Sequence, residues 1–382
     1  MRCTPEAIAA TLGEIDSRQL HRRRELAPDG RLNFCSNDYL GLATDERIAS
    51  AMAEAAQQLG AGAGASHLVS GHTAEHEALE REIAEFMGRE RALVFSTGYM
   101  ANLGVLSALA DRRDLLIADE LNHASLIDAA RLVRSASNLR YAHGDATAAA
   151  SLLDTHAPSF AAVGAGAFLV TDGVFSMDGD IAPLPALAVA AKKHEGWLVV
   201  DDAHGIGVIG ATGRGSCEFL GLSPHEVPVL VGTFGKAFGT FGAFVAGDSD
   251  VIELLIQRAR TYIYTTALPP AVAAATRMAL AVVRQEHWRR EHLNSLVLRF
   301  RAGAKARGLT LMDSMTPIQP MILGSSEAAL VTSAKLSAAG FRVTAIRPPT
   351  VPQGTARLRI TLSAAHNEAQ VDSLLVALEA VT

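Results

Sequence analysis

The chain has 382 residues, of which 49% are hydrophobic and 19% are charged, a balance that argues against disorder and predicts a large core. The formal net charge of −6 argues against a mainly nucleic-acid-binding role, because phosphate backbones bind basic faces. A local basic patch for an anionic substrate is compatible with this charge.

The first predicted element is an amphipathic helix over residues 5–24 that ends in His21-Arg22-Arg23-Arg24, and a short strand signal follows at 32–34. Downstream, apolar runs typical of strands alternate with helical or loop segments, as in an α/β domain with a mostly parallel sheet. Such a sheet collects its ligands at the carboxyl ends of its strands. The predicted strands are 92–95, 115–118, 139–142, 168–171, 197–200, 229–232 and 243–246.

A long helix is predicted over 270–302, and the pattern after it is α+β. The strands predicted there are 319–323, 342–346 and 357–362, and a last helix begins near Asn367. We therefore predict an N-terminal arm at 1–45, a large α/β domain at 46–284 and a small C-terminal α+β domain at 285–382.

The cysteines and the apolar stretches predict a cytoplasmic location. Cys3, Cys35 and Cys217 have no C-x-x-C spacing, so they suggest neither a zinc site nor a disulfide framework and fit a reducing compartment. The N-terminus has no apolar core of the signal-peptide type. The apolar stretches at 157–170 and 270–283 are interrupted by proline and glycines or by arginine, and neither is typical of a membrane span.

The strongest chemical signal is a lysine in Val231-Gly232-Thr233-Phe234-Gly235-Lys236-Ala237-Phe238-Gly239. Lys236 directly follows an apolar strand and has glycines and aromatic residues on both sides, unlike an ordinary surface lysine. Desolvation lowers the pKa of such an amine, which then forms a Schiff base readily.

A second signal is Trp197-Leu198-Val199-Val200-Asp201-Asp202-Ala203-His204-Gly205, in which an apolar strand ends in two carboxylates and a histidine. A buried Asp201 can pair with a pyridinium nitrogen and make the ring a better electron sink. A helix cap and a metal site are the alternatives, and the sequence offers no further acidic or histidine cluster that favours metal.

Two more strand ends carry candidate residues. Phe95-Ser96-Thr97-Gly98-Tyr99-Met100-Ala101-Asn102 predicts a strand, a glycine turn and a helix whose first N–H groups bind a phosphate, with Tyr99 offering a ring to a flat cofactor. Leu121-Asn122-His123-Ala124-Ser125 places His123 after another strand, where a lone histidine is more often structural.

Two motifs are decoys. Gly205-Ile206-Gly207-Val208-Ile209-Gly210 matches G-x-G-x-x-G, but glycine-rich loop follows it instead of the helix that dinucleotide binding requires. His72 and His76 have i, i+4 spacing without the H-E-x-x-H order of a zinc hydrolase, so we interpret them as core or surface histidines.

Taken in order, these segments resemble fold-type I pyridoxal-phosphate enzymes, and among them the α-oxoamine synthases. The resemblance covers nearly the whole chain, from Ser36-Asn37-Asp38-Tyr39-Leu40-Gly41 through the segments around Asp201 and Lys236 to the C-terminal domain. It implies a large domain with a mostly parallel seven-stranded sheet flanked by helices, a smaller α+β C-terminal domain, an N-terminal arm and bound pyridoxal 5'-phosphate.

The resemblance implies a role for each matching residue. Lys236 forms the Schiff base with the cofactor and moves the Cα proton, and Asp201 pairs with the pyridine nitrogen. His123 stacks on the ring, while His204 and Ser176 contact its 3-oxygen side. The residues implied at the phosphate are Gly98, Tyr99, Thr233 and, from the other subunit of a homodimer, Thr266. The residues implied at the substrates are Arg22, Asn37, His123, Arg347 and Thr350.

Two stretches look most like the biotin-pathway members of this family. These are residues 345–359, around Pro349-Thr350-Val351-Pro352, and Gly64-Ala65-Ser66-His67-Leu68-Val69-Ser70-Gly71, where aminolevulinate synthases carry a Thr-Arg pair. The implied reaction is a decarboxylative condensation of L-alanine with a pimeloyl thioester of coenzyme A or acyl carrier protein. Arg347 holds the alanine carboxylate, and His21, Arg22 and Arg23 are alternatives for the acyl substrate.

Three alternatives stay open at this point. A sister reaction, such as that of 5-aminolevulinate synthase, 2-amino-3-ketobutyrate CoA ligase or a sphingoid-base synthase, uses the same cofactor with other substrates. A nicotinamide-dependent oxidoreductase would use the glycine motif at 205–210. A non-catalytic partner subunit is disfavoured because Lys236, Asp201 and His204 occur together. Neither nucleic acid nor membrane is expected as a partner.

Overall fold

The computed structural model describes residues 4–18, 20–22, 24, 26, 29–133 and 137–382, so Cys3 and Arg23 lie outside the described residues. The chain forms two compact units. The first combines Met1–Ser36, Met177–Gly179 and Leu293–Thr382, and the second combines Asn37–Ser176 and Asp180–His292. The predicted boundaries of an arm and two domains stay a prediction.

The strands in the described residues belong to three sheets. They are β1 (Leu32–Asn33), β2 (Arg91–Phe95), β3 (Leu115–Asp119), β4 (Ser137–Tyr141), β5 (Ala167–Asp172), β6 (Trp197–Asp201), β7 (Val229–Thr233), β8 (Ala243–Gly247), β9 (Ile318–Gly324), β10 (Phe341–Arg342), β11 (Thr344–Ile346) and β12 (Ala356–Thr361). The second unit contains a seven-stranded sheet in the order β2-β8-β7-β6-β5-β3-β4, in which only the pairs formed by β8 are antiparallel. All seven strands predicted between residues 92 and 246 are in it, and the predicted fold class is confirmed.

The helices are α1 (Pro5–Ser17), α2 (Glu46–Leu59), α3 (Ala74–Met87), α4 (Gly98–Leu109), α5 (Ala124–Val133), α6 (Ala146–Ala161), α7 (Leu184–Lys193), α8 (Ser216–Phe219), α9 (Ser249–Arg258), α10 (Arg260–Ile263), α11 (Pro270–Gln285), α12 (Trp288–Ala306), α13 (Ser326–Ala338) and α14 (Glu368–Val381). A single π-helical turn spans His67–Gly71. No helix in this described part of the chain has both the length and the apolar character needed to cross a bilayer.

The central strands are apolar because helices cover both faces of the sheet, as expected for parallel strands. Every residue of β3 and β5 is buried, and so are the last four of β6. Since these strands run parallel, their polar last residues lie along one edge of the sheet. In particular, β5 and β6 pair in a register that sets Asp172 beside Asp201.

The first unit has a different construction. Strands β11, β12 and β9 form an antiparallel sheet in that order, and β1 pairs in parallel with β10. The single strand predicted at 342–346 is therefore two strands in two sheets. A capping box at Asn367 and Gln370 begins α14, as the last predicted helix requires.

Two predicted helices are too long. The helix predicted over 5–24 ends at Ser17, because none of its residues is buried and no tertiary packing stabilises further turns. The helix predicted over 270–302 is interrupted at Glu286, whose backbone is non-helical with φ −98° and ψ 66°. Arg47 and Arg289 hold the Glu286 carboxylate at 2.6 and 2.7 Å, which stabilises this break.

The glycine motif at 205–210 encloses a buried carboxylate. Asp202 is fully buried, the backbone N–H of Ser216 donates to its Oδ2 atom at 2.6 Å, and burial raises its pKa to about 7. A Cβ atom added to Gly205 or Gly215 would lie 2.1 or 2.0 Å from a carboxylate oxygen of Asp202. The next helix, α8, begins only at Ser216, so the helix that dinucleotide binding requires does not follow the motif.

We expect Gly205→Ala to lower the free energy of unfolding by about 1–3 kcal/mol, because the buried Asp202 carboxylate cannot move away from the new methyl group. Urea denaturation checks this. Gly13→Ala is the matched control, since its Cβ would meet nothing within 4 Å, and it should be neutral or slightly stabilising in α1. Equal stability of Gly205→Ala and the parent would contradict the enclosure of Asp202.

Candidate active site

The predicted lysine and the predicted histidine after the neighbouring strand are in direct contact. Lys236 follows β7 by three residues and His204 follows β6 by three. The Nζ atom of Lys236 lies 2.8 Å from Nε2 of His204, which is buried. Two signals that are 32 residues apart in sequence therefore form one pair at the carboxyl edge of the sheet.

A hydrogen-bonded chain behind His204 fixes its tautomer. Tyr39 is fully buried, and its hydroxyl lies 2.6 Å from Nδ1 of His204 and donates to Oδ1 of Asn37 at 3.2 Å. Because the phenol has one proton and gives it to Asn37, Nδ1 of His204 carries the proton of the imidazole. Nε2 of His204 is then the acceptor that faces Lys236. Tyr39 lies in the segment 36–41 that carries the family resemblance, but sequence reasoning missed its contact with His204.

Asp201 is a buried carboxylate held by two neutral donors. The backbone N–H of Ala203 donates to Oδ1 at 3.0 Å, and Nδ2 of Asn102 donates to Oδ2 at 2.6 Å. No lysine, arginine or histidine in the described ranges forms an ion pair with it. A buried carboxylate needs a compensating positive charge, so Asp201 fits a ligand that presents a protonated nitrogen.

Asp172, which sequence reasoning missed, is the neighbour of Asp201 across the β5–β6 pair. Burial and, after it, the negative charge of Asp201 raise the pKa of Asp172 well above its usual range. Asp172 Oδ2 accepts the backbone N–H of His123 at 2.6 Å. The sequence feature that could have identified Asp172 is its position directly after the predicted strand at 168–171.

His123 lies within the electrostatic reach of both Asp201 and Lys236. The surrounding protein, which removes water from one side of the ring, lowers the pKa of His123; Asp201 opposes this shift and Lys236 adds to it. Nδ1 of His123 lies 2.7 Å from Oγ of Ser125, and the residue is otherwise exposed. The structure therefore brings together the four predicted catalytic residues: Lys236, Asp201, His204 and His123.

The start of α4 has the features of an anion site. Thr97 caps this helix by accepting the N–H of Met100 at 3.1 Å, and Gly98 is its first residue. A Cβ on Gly98 would meet nothing within 4 Å, so backbone N–H groups are open to a ligand there. Asn102, which contacts Asp201, lies one turn further along the same helix.

The other residues predicted at the cofactor are more dispersed. Thr233 Oγ1 donates to the Gly242 carbonyl at 2.9 Å in the turn before Lys236, and the Tyr99 hydroxyl bonds to Asp128. Ser176 is half-buried, and Thr266 is exposed between α10 and α11. Among the residues that the structure describes, no hydrogen bond joins Thr266 to the Lys236 cluster.

Three predicted substrate residues line one cavity of the first unit. Arg22, Arg347 and Thr350 surround a space of about 330 Å³. One guanidinium nitrogen of Arg347 also lies 3.4 Å from the carbonyl oxygen of His21. The fourth, Asn37, lies in the second unit beside Tyr39.

An ionic triad holds the loops next to the cluster. His143 lies 3.1 Å from Asp119 and 3.0 Å from Asp180, and its ring is edge-on to Phe175, which precedes Ser176. Burial lowers the pKa of His143, but the hydrogen bonds to the two carboxylates outweigh burial and raise the pKa to about 10. His143 is therefore protonated at neutral pH.

His67, His72 and His76 also approach one another. Nδ1 of His67 lies 3.0 Å from Nδ1 of His72, while the ring of His67 stacks on Tyr262 at 4.7 Å. His76 is fully buried, with Nδ1 accepting the N–H of Thr73 and Nε2 donating to the carbonyl of Leu268. His76 is thus the core histidine that the sequence predicted.

Known proteins resemble this chain over nearly its whole length. A family model described as aminotransferase class I and II matches residues 29–378. The 8-amino-7-oxononanoate synthase of Methylococcus capsulatus is 56% identical in an alignment of 382 residues, which covers 97% of each chain.

Two solved structures give the same fold. Serine palmitoyltransferase with its pyridoxal-phosphate internal aldimine has a TM-score of 0.90 at 31% identity, covering 99% of this chain and 96% of that one. The 8-amino-7-oxononanoate synthase of Francisella tularensis has a TM-score of 0.79 at 31% identity, covering 92% of this chain and 98% of that one.

We expect His143→Gln to lower the free energy of unfolding by about 2 kcal/mol at pH 6, since charge-assisted hydrogen bonds to two carboxylates are lost. The folded-state pKa of about 10 exceeds the usual 6.5, so this contribution is complete below about pH 6.5 and is lost as the pH rises through about 10. Urea titrations at pH 6, 8 and 10 measure the difference. His225→Gln, at an exposed position, is the control, and a difference that grows with pH would contradict the triad.

Proposed function

The chain belongs to the class I and II aminotransferase family, and on that premise we propose that it makes 8-amino-7-oxononanoate as a pyridoxal-phosphate-dependent acyltransferase. L-Alanine and a pimeloyl thioester are the substrates, and CO2 and the free thiol are the other products. The observation that carries this proposal is the Lys236–His204 pair beside the buried Asp201 carboxylate, in a chain 56% identical to a synthase of that name.

The donor set fits pyridoxal phosphate. Asp201 would hold the ring nitrogen, the amine of Lys236 would bind the carbonyl carbon, and the first N–H groups of α4 at Gly98 would hold the phosphate. Thr233 and Tyr99 would complete the phosphate site, and Ser176 would contact the ring oxygen. When bound, the cofactor supplies an electron-accepting ring that stabilises negative charge at the substrate Cα atom.

Lys236 is the group that moves protons. Nε2 of His204 accepts a hydrogen bond from Nζ of Lys236, because Tyr39 keeps the proton of that imidazole on Nδ1. The neutral amine of Lys236 is the form that attacks a carbonyl and removes a proton from Cα. Asn37 lies behind Tyr39 and supports the same orientation.

Asp201 and His123 would contact different parts of the cofactor ring. The raised pKa of Asp172 reduces repulsion between the two neighbouring carboxyl groups, and the Asp201 carboxylate would stabilise a protonated ring nitrogen. The lowered pKa of His123 favours its neutral ring, which would stack on a cationic ring without like-charge repulsion.

The cavity of Arg22, Arg347 and Thr350 supports recognition of two carboxylates. Arg347 would hold the alanine carboxylate, for which the planar guanidinium fork is suited. Arg22 would face the distal carboxylate of the pimeloyl chain, with His21 as the neighbouring alternative.

Sequence identity favours alanine and pimeloyl substrates over those of the sister enzymes. Serine palmitoyltransferase has the higher TM-score, 0.90 against 0.79, so the fold alone does not discriminate between the two reactions. The Methylococcus synthase is 56% identical to this chain, whereas serine palmitoyltransferase is 31% identical. The acyl carrier is coenzyme A or acyl carrier protein.

A homodimer with shared sites is part of the proposal. Thr266 is exposed next to Tyr264, which is 71% exposed, and the neighbouring π-helical turn exposes Leu68 and Val69 at 52% and 78%. The N–H of Ala267 bonds to the Ala65 carbonyl at 2.9 Å, so these apolar side chains belong to adjoining segments. Such a surface is typical of an interface.

The free thiols of Cys35 and Cys217 support a cytoplasmic location.

Product analysis tests the proposed reaction. Protein supplied with pyridoxal phosphate, L-alanine and pimeloyl-CoA should yield 8-amino-7-oxononanoate by mass spectrometry, and Lys236→Ala should yield none. Replacing alanine by glycine should slow turnover by roughly 10–200-fold, the usual worth of one methyl group in a pocket. Faster condensation of glycine or serine, with another thioester, would support a sister enzyme instead.

Mixed dimers test the shared site. Lys236→Ala and Thr266→Tyr chains should each be inactive, but co-refolded hybrids contain one site with both residues unmutated. Random pairing of equal amounts should restore about a quarter of the wild-type activity, because half the dimers are hybrids with one intact site of two. Hybrids that form but remain inactive would show that Thr266 does not act across subunits.

A further inference from the structure

A buried side chain links the two groups that flank the proposed cofactor ring. Asn102, in α4, donates from Nδ2 to Oδ2 of Asp201 at 2.6 Å and to Oγ of Ser125 at 2.8 Å. Ser125, in α5, lies 2.7 Å from Nδ1 of His123. Asn102 is 1% exposed and Ser125 is fully buried, so water does not substitute for these contacts.

The donor in each of these hydrogen bonds follows from the number of protons that each group has. The two hydrogens of the Asn102 amide go to Asp201 and Ser125, so Oγ of Ser125 accepts one and has its own proton left for His123. The backbone N–H of Ser125 also points at Nδ1 of His123, at 3.3 Å. Nδ1 of His123 is therefore an acceptor, and the neutral ring carries its proton on Nε2.

The amide of Asn102 is not needed for packing in the core. Its Oδ1 atom is buried and has no hydrogen-bond partner among the described residues. A buried carbonyl oxygen left unbonded destabilises a fold, whereas an apolar side chain of the same shape avoids that cost. The donors of Asn102, and not its packing, account for an amide at this position.

We propose that Asn102 is a positioning residue that sets the orientation of the Asp201 carboxylate and, through Ser125, the tautomer of His123. The functional consequence rests on the proposed function, because it takes Asp201 and His123 to face the cofactor. One side chain thereby couples the group at the ring nitrogen to the group that stacks on the ring. Loss of the Asn102 amide therefore affects both groups at once.

The first experiment separates positioning from structural support. Asn102→Leu keeps the approximate shape and removes both donors, so the unfolding temperature of the apoprotein should fall because the buried Asp201 carboxylate loses a donor, while the Kd for pyridoxal phosphate rises at least about tenfold. The control is Gln319→Leu, which removes a buried amide whose Nε2 bonds only to the carbonyls of Ser314 and Thr316. It should lower the unfolding temperature and leave the Kd unchanged. An Asn102→Leu protein that folds and binds pyridoxal phosphate with an unchanged Kd, as expected for Gln319→Leu, would overturn the proposal.

Asn102→Asp provides a second variant if the leucine protein fails to fold. A protonated carboxyl donates to Asp201, but an ionised one repels it. The affinity of this variant for pyridoxal phosphate, relative to the wild type, should therefore fall by about tenfold or more between pH 6 and pH 9. A ratio that is independent of pH would count against the donor role of Asn102.

Histidine ¹⁵N NMR of the apoprotein tests the same link without any cofactor, so it distinguishes this proposal from the proposed function. The His123 signals, identified with His123→Gln, should show the Nε2–H form in the wild type. Ser125→Ala and Asn102→Leu should both shift the tautomer populations or the titration midpoint of His123. Unchanged His123 signals in both variants would refute the link, whereas a wild type that fails to bind pyridoxal phosphate would refute only the proposed function.

Discussion

The charge on the buried Asp201 carboxylate is the constraint around which this edge of the sheet is arranged. A carboxylate removed from water is costly unless donors and a positive charge compensate it. The chain supplies Nδ2 of Asn102 and the N–H of Ala203, and the raised pKa of the neighbouring Asp172 reduces its repulsion of Asp201. The remaining compensation has to come from a ligand, which is why this position points to a cationic ring nitrogen.

Two histidines near this carboxylate have opposite tautomers, and each is determined by one hydroxyl group. Tyr39 keeps the proton of His204 on Nδ1, which leaves Nε2 to accept a hydrogen bond from Lys236. Ser125 donates to Nδ1 of His123, which leaves its proton on Nε2. His204 therefore offers Nε2 as an acceptor to the amine of Lys236, whereas Nδ1 of His123 is the acceptor and its Nε2 carries the proton.

Four carboxylates near the ends of three adjacent parallel strands have different environments. Asp119 is paired with the protonated His143, burial raises the pKa of Asp172, Asp201 accepts a hydrogen bond from Asn102, and Asp202 is enclosed by glycines that leave no room for a Cβ atom. Their strand positions are similar, so the differences come from the side chains and loops packed around each one. Separate environments of this kind allow acidic groups within one region to differ in charge at the same pH.

The sequence by itself determined the strands, the sheet edge and the residues with reactive groups at that edge, because apolar strands followed by Lys236, Asp201, His204 or His123 are local patterns. Tertiary structure decided what each group bonds to. Asn102 contacts Asp201 across 99 residues and Tyr39 contacts His204 across 165, and no local pattern encodes such distances. It also decided where α1 and α11 end, since an exposed helix has no packing to extend it and the Glu286 break depends on Arg47, 239 residues away. Local composition therefore determines which element forms. Burial and hydrogen bonds between distant residues determine where the element ends and which charges and tautomers its side chains have.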